Sequence, residues 1–250
     1  MPEAILPGGA TGFCLRVWGP FACFTRPELK AERFSYPVIT PSAARGVFDA
    51  IYCKPIEFRW AVRRIEVVNP IKYIALRRNE VKEKVNVNAV ERWMSGDGQP
   101  EPIWADGDKD TSGSDEKGRT QRQTMALQDV EYRVWAHIVP WPGCPHNHAS
   151  LSDQFLRRVK SGKCFQQPYF GCREFPAYFE LANPDDGKRA ISYTADLGIM
   201  LYDVFDLARP QNSGARPMIS VFRAQIDSGV LEVPPYEDSS VFKSPIREMA

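Results

Sequence analysis

The strongest constraint on this chain is the order in which its hydrophobic period switches between two and 3.6. Phe13, Leu15 and Val17 alternate against Cys14, Arg16 and Trp18, which predicts a strand ended by Gly19-Pro20. A long connection runs to Ile39. Thr40 is then a helix N-cap with Pro41 at the first helical position, and Ala44, Val47, Phe48 and Ile51 form one apolar stripe until Pro55 stops the helix. Phe58–Val68 reads as a strand, Tyr73–Val85 as a basic hairpin or projecting arm, and Asn86–Met94 as a short helix. Val130–Val139 is a strand, with Tyr132, Val134, Ala136 and Ile138 on one side and Arg133, Trp135 and His137 on the other. Leu151–Lys160 is a helix ended by Gly162, and Tyr169–Leu181 holds a further strand bent at Pro176.

Strand, helix, strand, strand, helix, strand is the order of a ferredoxin-like (RRM-like) βαββαβ domain, an α+β fold. Such a sheet has one face under helices and one open face, which RNA-binding modules use. The domain is placed at residues 1–185, with a basic arm at about 70–93 and a mobile acidic loop at about 95–118. Beyond it, Leu197–Phe205, Ile219–Ile226 and Val230–Val233 read as strands, the last two flanking Asp227-Ser228-Gly229 as a hairpin. They make a small C-terminal antiparallel β extension over 186–235, followed by a loose tail over 236–250.

The formal net charge of +1 conceals a local asymmetry. Between Lys54 and Lys84 there are nine basic and four acidic residues, whereas seven acids and two lysines lie between Trp93 and Gly118. A neutral total therefore leaves room for a positive phosphate groove. The six cysteines form no C-x-x-C pair, which excludes zinc-ribbon and thioredoxin readings and suits a reduced, cytoplasmic chain. No apolar run is long enough to span a membrane. Nucleotide-binding glycine loops, G-x-S-x-G and H-E-x-x-H are absent. Asp106, Asp108 and Asp110 begin like a calcium loop, but Thr111 stands where glycine is needed and Lys117 where the bidentate carboxylate is needed. No cofactor or metal is indicated.

The three histidines are His137, on the Arg133/Trp135 face of its strand, and His146 and His148, which flank Asn147 just before the basic second helix. That loop suits a general base near phosphate. Arg77 and Arg78 lie on the arm, with Phe58, Trp60 and Tyr73 interleaved nearby, a composition that suits RNA as well as a solvated face. Tyr52 follows the first helix beside Lys54. A phenol there is a poor base at neutral pH unless a cation lowers its pKa.

The segment Lys163-Cys-Phe-Gln-Gln-Pro-Tyr-Phe-Gly-Cys-Arg-Glu-Phe-Pro176 resembles the signature loop of the type I-C (Dvulg subtype) CRISPR-associated proteins of the fifth Cas family, in the repeat-associated mysterious protein superfamily. Leu15–Gly19, Phe21–Pro27, Pro41–Gly46, Ala50–Pro55, Arg77–Glu80 and Gln121–Gln123 agree in the same order. The resemblance spans about Phe13–Leu201. It implies a metal-independent endoribonuclease that cuts the repeat of precursor CRISPR RNA. It also implies that the chain stays on the 5′ handle within a complex containing backbone and large subunits. The alternative is a handle-binding structural subunit without activity. In the family reaction a ribose 2′-OH attacks the adjacent phosphate and leaves a 2′,3′-cyclic phosphate. This requires a base, a cation and an acid. A family proposal gives these tasks to a tyrosine, matched by Tyr52, and to a lysine–histidine pair before the second helix. Counted back from Gly162, that pair falls on Ser150-Leu151, and a local gap puts His148 in the histidine's place without an adjoining lysine. The expected catalytic residues are Tyr52 and His148. The expected RNA contacts are Arg77, Arg78, Lys54, Arg157, Arg158, Lys163 and Arg173.

Overall fold

The computed structural model describes residues 4–5, 11–29, 31–100, 102–103, 105, 118–183, 186–210 and 217–243. The aspartates at 106, 108 and 110, most of the acidic loop and the end of the tail lie outside the described residues. The chain divides into two units, one of residues 1–74 with 125–250 and one of 75–124.

The larger unit is α+β and dominated by antiparallel sheet. Its strands in chain order are β1 (Ala4–Ile5), β2 (Thr11–Ala22), β3 (Arg33–Phe34), β4 (Phe58–Val67), the start of β5 (Tyr73–Val81), most of β6 (Arg119–Pro140), β7 (Tyr178–Leu181), β8 (Ala195–Asp203), β9 (Ser220–Asp227), β10 (Val230–Glu232) and β11 (Val241–Lys243). Its helices are α1 (Pro41–Ile51) and α3 (His148–Lys160); α2 (Val87–Met94) belongs to the smaller unit. The central order is β7-β2-β6-β4, each neighbour antiparallel. β10 extends the sheet past β4 through Val230–Glu66, Leu231–Ile65 and Glu232–Arg64, and β9 follows it, paired also with β8 and β11. No helix among the described residues is long and apolar enough to cross a membrane.

The helices form where the caps dictate. Thr40 accepts a hydrogen bond from the Ala43 N–H at 3.2 Å, and Asn147 accepts one from Ser150 at 2.8 Å, which starts α3 three residues earlier than expected. Both helices lay their apolar stripes on one face of the sheet. Phe13, Trp60, Phe48 and Phe155 are fully buried there, with the Phe155 ring centroid 4.6 Å from Trp60 and 4.8 Å from Phe13.

Four expectations need correction. β2 does not end at Gly19-Pro20. Pro20 has no N–H to give, its opposite residue Asp129 turns to φ 53°, and pairing resumes at Phe21–Gln128. The strand expected over Val130–Val139 is the 22-residue β6, because its polar N-terminal half pairs with β5. Of Tyr169–Leu181, only Tyr178–Leu181 is strand, preceded by a bridge between Tyr169 and Pro176. The segment read as a loose tail begins with a buried Tyr236 and includes β11.

The sheet face away from the helices is less open than its pattern suggests. Asp186–Ile191 crosses it, anchored by Arg133 donating to the Lys188 carbonyl at 2.9 Å and by Ile191 N–H on Val67 O at 2.9 Å. Beneath, cations alternate with carboxylates. Arg16 pairs with Glu131 and Glu180, both at 2.7 Å, Arg133 with Glu66 at 2.9 Å, Arg64 with Glu66 at 2.8 Å and Lys188 with Glu131 at 2.8 Å. The charge of these guanidiniums is already matched by the chain's own carboxylates.

Candidate active site

Tyr52 is the residue at which α1 stops. Its N–H still bonds Phe48 O, but its backbone is extended. Trp60 Nε1 donates to Tyr52 O at 2.9 Å, and the tyrosine ring packs on Phe58 at 5.2 Å. The ring is thus fixed and buried, while its hydroxyl makes no hydrogen bond among the described residues. Burial, the largest influence, pushes the phenol pKa above its ordinary 10.0, and Lys54 only partly offsets this. At neutral pH Tyr52 is a proton donor.

Three further segments converge on that ring. Lys54 Nζ reaches both Glu57 oxygens, at 2.9 and 3.0 Å. His146 Nε2 lies 3.6 Å from Glu57 Oε2. The 141–147 loop is held there by Trp141, whose N–H bonds Glu57 O at 2.8 Å and whose Nε1 bonds Pro55 O at 3.0 Å. From α3, Arg158 donates to Ile51 O at 3.1 Å and lies 5.8 Å over the Tyr52 ring. It compensates the carbonyl end of α1. The site therefore holds a protonated phenol, a half-exposed imidazole oriented by a carboxylate, and two cations.

The glutamine–glycine loop docks on the same helix end. Phe165 N–H and Gln166 N–H both bond Ala50 O, at 2.7 and 3.2 Å. Gly171, at φ 78°, is obligatory because a Cβ would overlap the Cys23 carbonyl. A groove of about 530 Å³ opens beside α1, lined by Ser42, Arg45, Asp49, Gln166 and Tyr169 among others. Arg45 on its wall is held between Asp203, at 2.6 Å, and Asp49. Two carboxylates against one guanidinium make this a poor phosphate site.

Known proteins resemble this chain in sequence and in fold. The family profile described as CRISPR-associated protein (Cas_Cas5) matches residues 12–234. The chain belongs to the Cas5 family. It is 39% identical over 234 residues to the CRISPR pre-crRNA endoribonuclease Cas5d of Mannheimia succiniciproducens, covering 89% of this chain and 94% of that protein. It is 40% identical over 233 residues to the protein of the same description from Thermus thermophilus, covering 88% and 90%. Two solved structures share the fold at 20% identity: a CRISPR-associated protein at TM-score 0.59 and a functionally uncharacterized Streptococcus mutans protein at 0.57. Each covers 92% of this chain and 96% of that one.

Within this Cas5 chain the expected site residues separate. Tyr52, Lys54 and Arg158 come together, but Lys54 is engaged by Glu57 and Arg158 by Ile51 O. His148 is exposed on the first turn of α3, its Nδ1 3.3 Å from Ser152 Oγ. The histidine brought to the Tyr52 cluster by direct contacts is His146. Arg157 is exposed and bonded to Gln154; Lys163 and Arg173 are exposed. Arg77 and Arg78 belong to the 75–124 unit, where Arg77 faces solvent and Arg78 pairs with Glu80 at 3.3 Å. Glu57 was missed by sequence reading. Its one signal is an acid three residues after Lys54 in an otherwise basic stretch.

Proposed function

We propose that this chain cuts precursor CRISPR RNA within the repeat and stays on the 5′ handle as a subunit of a type I-C surveillance complex, beside its backbone and large subunits. The observation that carries the reading is the unbonded Tyr52 hydroxyl near Glu57, the carboxylate that His146 also meets, in a chain about two-fifths identical to proteins named pre-crRNA endoribonucleases. In this reading residues 1–185 are a ferredoxin-like body, supported by the order β7-β2-β6-β4 with α1 and α3 as crossovers. Residues 186–235 are its β extension. The compartment is the cytoplasm, where thiols stay reduced.

The reaction needs no metal. His146, oriented by Glu57, takes the proton of the ribose 2′-OH. The resulting alkoxide attacks phosphorus to close the 2′,3′-cyclic phosphate. Tyr52 donates toward the leaving 5′-oxygen, and Arg158 and Lys54 offset the charge on the phosphoryl oxygens. His148 is the other candidate base, from the first turn of α3.

The test is incubation of the purified protein with its repeat RNA in EDTA. One cut in the repeat, with a cyclic phosphate on the upstream fragment, is the expected result. Binding without cleavage would leave the chain a structural handle clamp. A second measurement addresses the arm: Arg77→Ala lowers RNA affinity and reduces the slope of log affinity against log salt by roughly 0.7, the value for one lost phosphate contact on a single strand. Arg78→Ala changes the slope less, because Glu80 already matches its charge. An unchanged slope for Arg77→Ala removes the arm from the RNA interface.

A further inference from the structure

We propose that Arg63 and His137 form a second phosphate site, on the sheet face opposite the helices, that holds a backbone phosphate of the same RNA away from the Tyr52 cluster. The inference rests on the RNA-binding reading above.

The site begins with an irregularity. Val62 pairs with Ala136 and the next pair is Arg64 with Trp135, so Arg63 is the extra residue of a β-bulge. Val62 and Ile65 are both buried in the core. The two residues between them, Arg63 and Arg64, therefore both turn away from the helices. A regular strand would send one of them inward. Bulges recur where a side chain has to be re-aimed.

The second observation is charge accounting. On this face Arg16, Arg64 and Arg133 each meet a carboxylate, and Arg59 bonds Glu237 at 2.7 Å. The Arg63 carbonyl accepts from Val233 N–H at 2.9 Å, but its guanidinium forms no hydrogen bond or ion pair among the described residues, although the residue is only partly exposed. The third observation is His137. It stands across from Ala61, and its Nδ1 is buried without a hydrogen-bond partner. Burial first, then the charges of Arg63 and Arg59 on β4 and of His148 on α3, hold its pKa down to about 4; Glu237 from the C-terminal segment opposes them. The ring is thus neutral and unsatisfied beside an uncompensated guanidinium.

Buried polar atoms lacking a partner are rare, and an anion would complete both groups at once. Ala61, small and partly exposed, leaves the floor between them accessible. Trp135, also partly exposed, stands on the same face with the Arg64 guanidinium 5.4 Å over its ring, which leaves only the ring's other side for a base to stack on. That pairing of phosphate donors with an aromatic surface favours a nucleotide over a partner carboxylate.

The experiment uses the full chain. Repeat-RNA affinity is measured across salt concentrations for wild type, Arg63→Gln and Arg63→Lys, with melting temperatures as the check on folding. Arg63→Gln is expected to weaken binding by roughly 10-fold and to lower the salt slope by roughly 0.7, while cleavage at saturating RNA keeps the wild-type rate. Arg63→Lys retains the slope. In parallel, inorganic phosphate is titrated into the RNA-free protein and the His137 ring resonances are followed. A shift that disappears in Arg63→Gln locates an anion at the site. Unchanged RNA affinity and slope in a folded Arg63→Gln protein overturn the proposal, whether or not free phosphate shifts His137. If wild type fails to bind repeat RNA at all, the functional reading falls. The site then falls with it as an RNA site, and absence of a phosphate shift removes it as an anion site too.

Discussion

Tyr52→Phe is expected to slow repeat cleavage by roughly 10²-fold or more, the range for loss of an acid–base group, with little change in melting temperature. The substitution removes one oxygen. The ring keeps its packing on Phe58 and under Arg158, and no protein hydrogen bond is lost among the described residues. His146→Ala is expected to cost a similar factor and His148→Ala much less. The pH profile separates the roles. Burial raises the Tyr52 pKa above 10.0, so the phenol stays protonated as pH rises through the neutral range and loses its proton only beyond that value. A donor therefore gives no rise in rate toward pH 10, whereas a phenolate base would give a rate that climbs through the alkaline range. Wild-type cleavage by Tyr52→Phe clears the residue; a large loss in His148→Ala alone moves the base from the 141–147 loop to α3.

Phe155→Ala should destabilise the protein by about 3–5 kcal/mol, the cost of an aromatic-to-alanine change in a core. Phe155 is fully buried and lies against Trp60, Phe13 and Phe48, with centroids 4.6, 4.8 and 5.7 Å away. It contacts β2, β4 and α1 at once, so neighbours on three elements would have to move to close the void. Set against a total of about 5–15 kcal/mol, the loss lowers the melting temperature by roughly 10 °C. Urea titration measures it. A change below about 1 kcal/mol would mean that the four rings do not form one packed layer.

The helices and the core face were legible because local chemistry decides them. Thr40 with Pro41 caps α1, and the stripe at Ala44, Val47, Phe48 and Ile51 has nowhere to go but the sheet. Strand ends were misread where pairing partners decide instead. Nothing near Pro20 announces that Asp129, more than a hundred residues later, will take a left-handed conformation to let β2 continue. The polar first half of β6 looks like loop until β5 lies beside it. At the candidate site, Tyr52 was singled out through its place after α1. Choosing between His146 and His148 was beyond spacing alone. The two lie two residues apart, and a helix start between them, at Asn147, sends one toward Glu57 and the other toward Ser152. The sheet face away from the helices was read as open for a similar reason: Lys188 and Asp186 come from a segment whose route over the sheet is a tertiary fact.

The three residues of β10 carry more responsibility than their length suggests. By pairing with Arg64, Ile65 and Glu66 they occupy one margin of β4. A chain truncated before Val230 would bare that ribbon of amide and carbonyl groups, and a bared margin recruits strands from other molecules. Premature termination there would be felt first as self-association during expression, before any loss of chemistry at Tyr52.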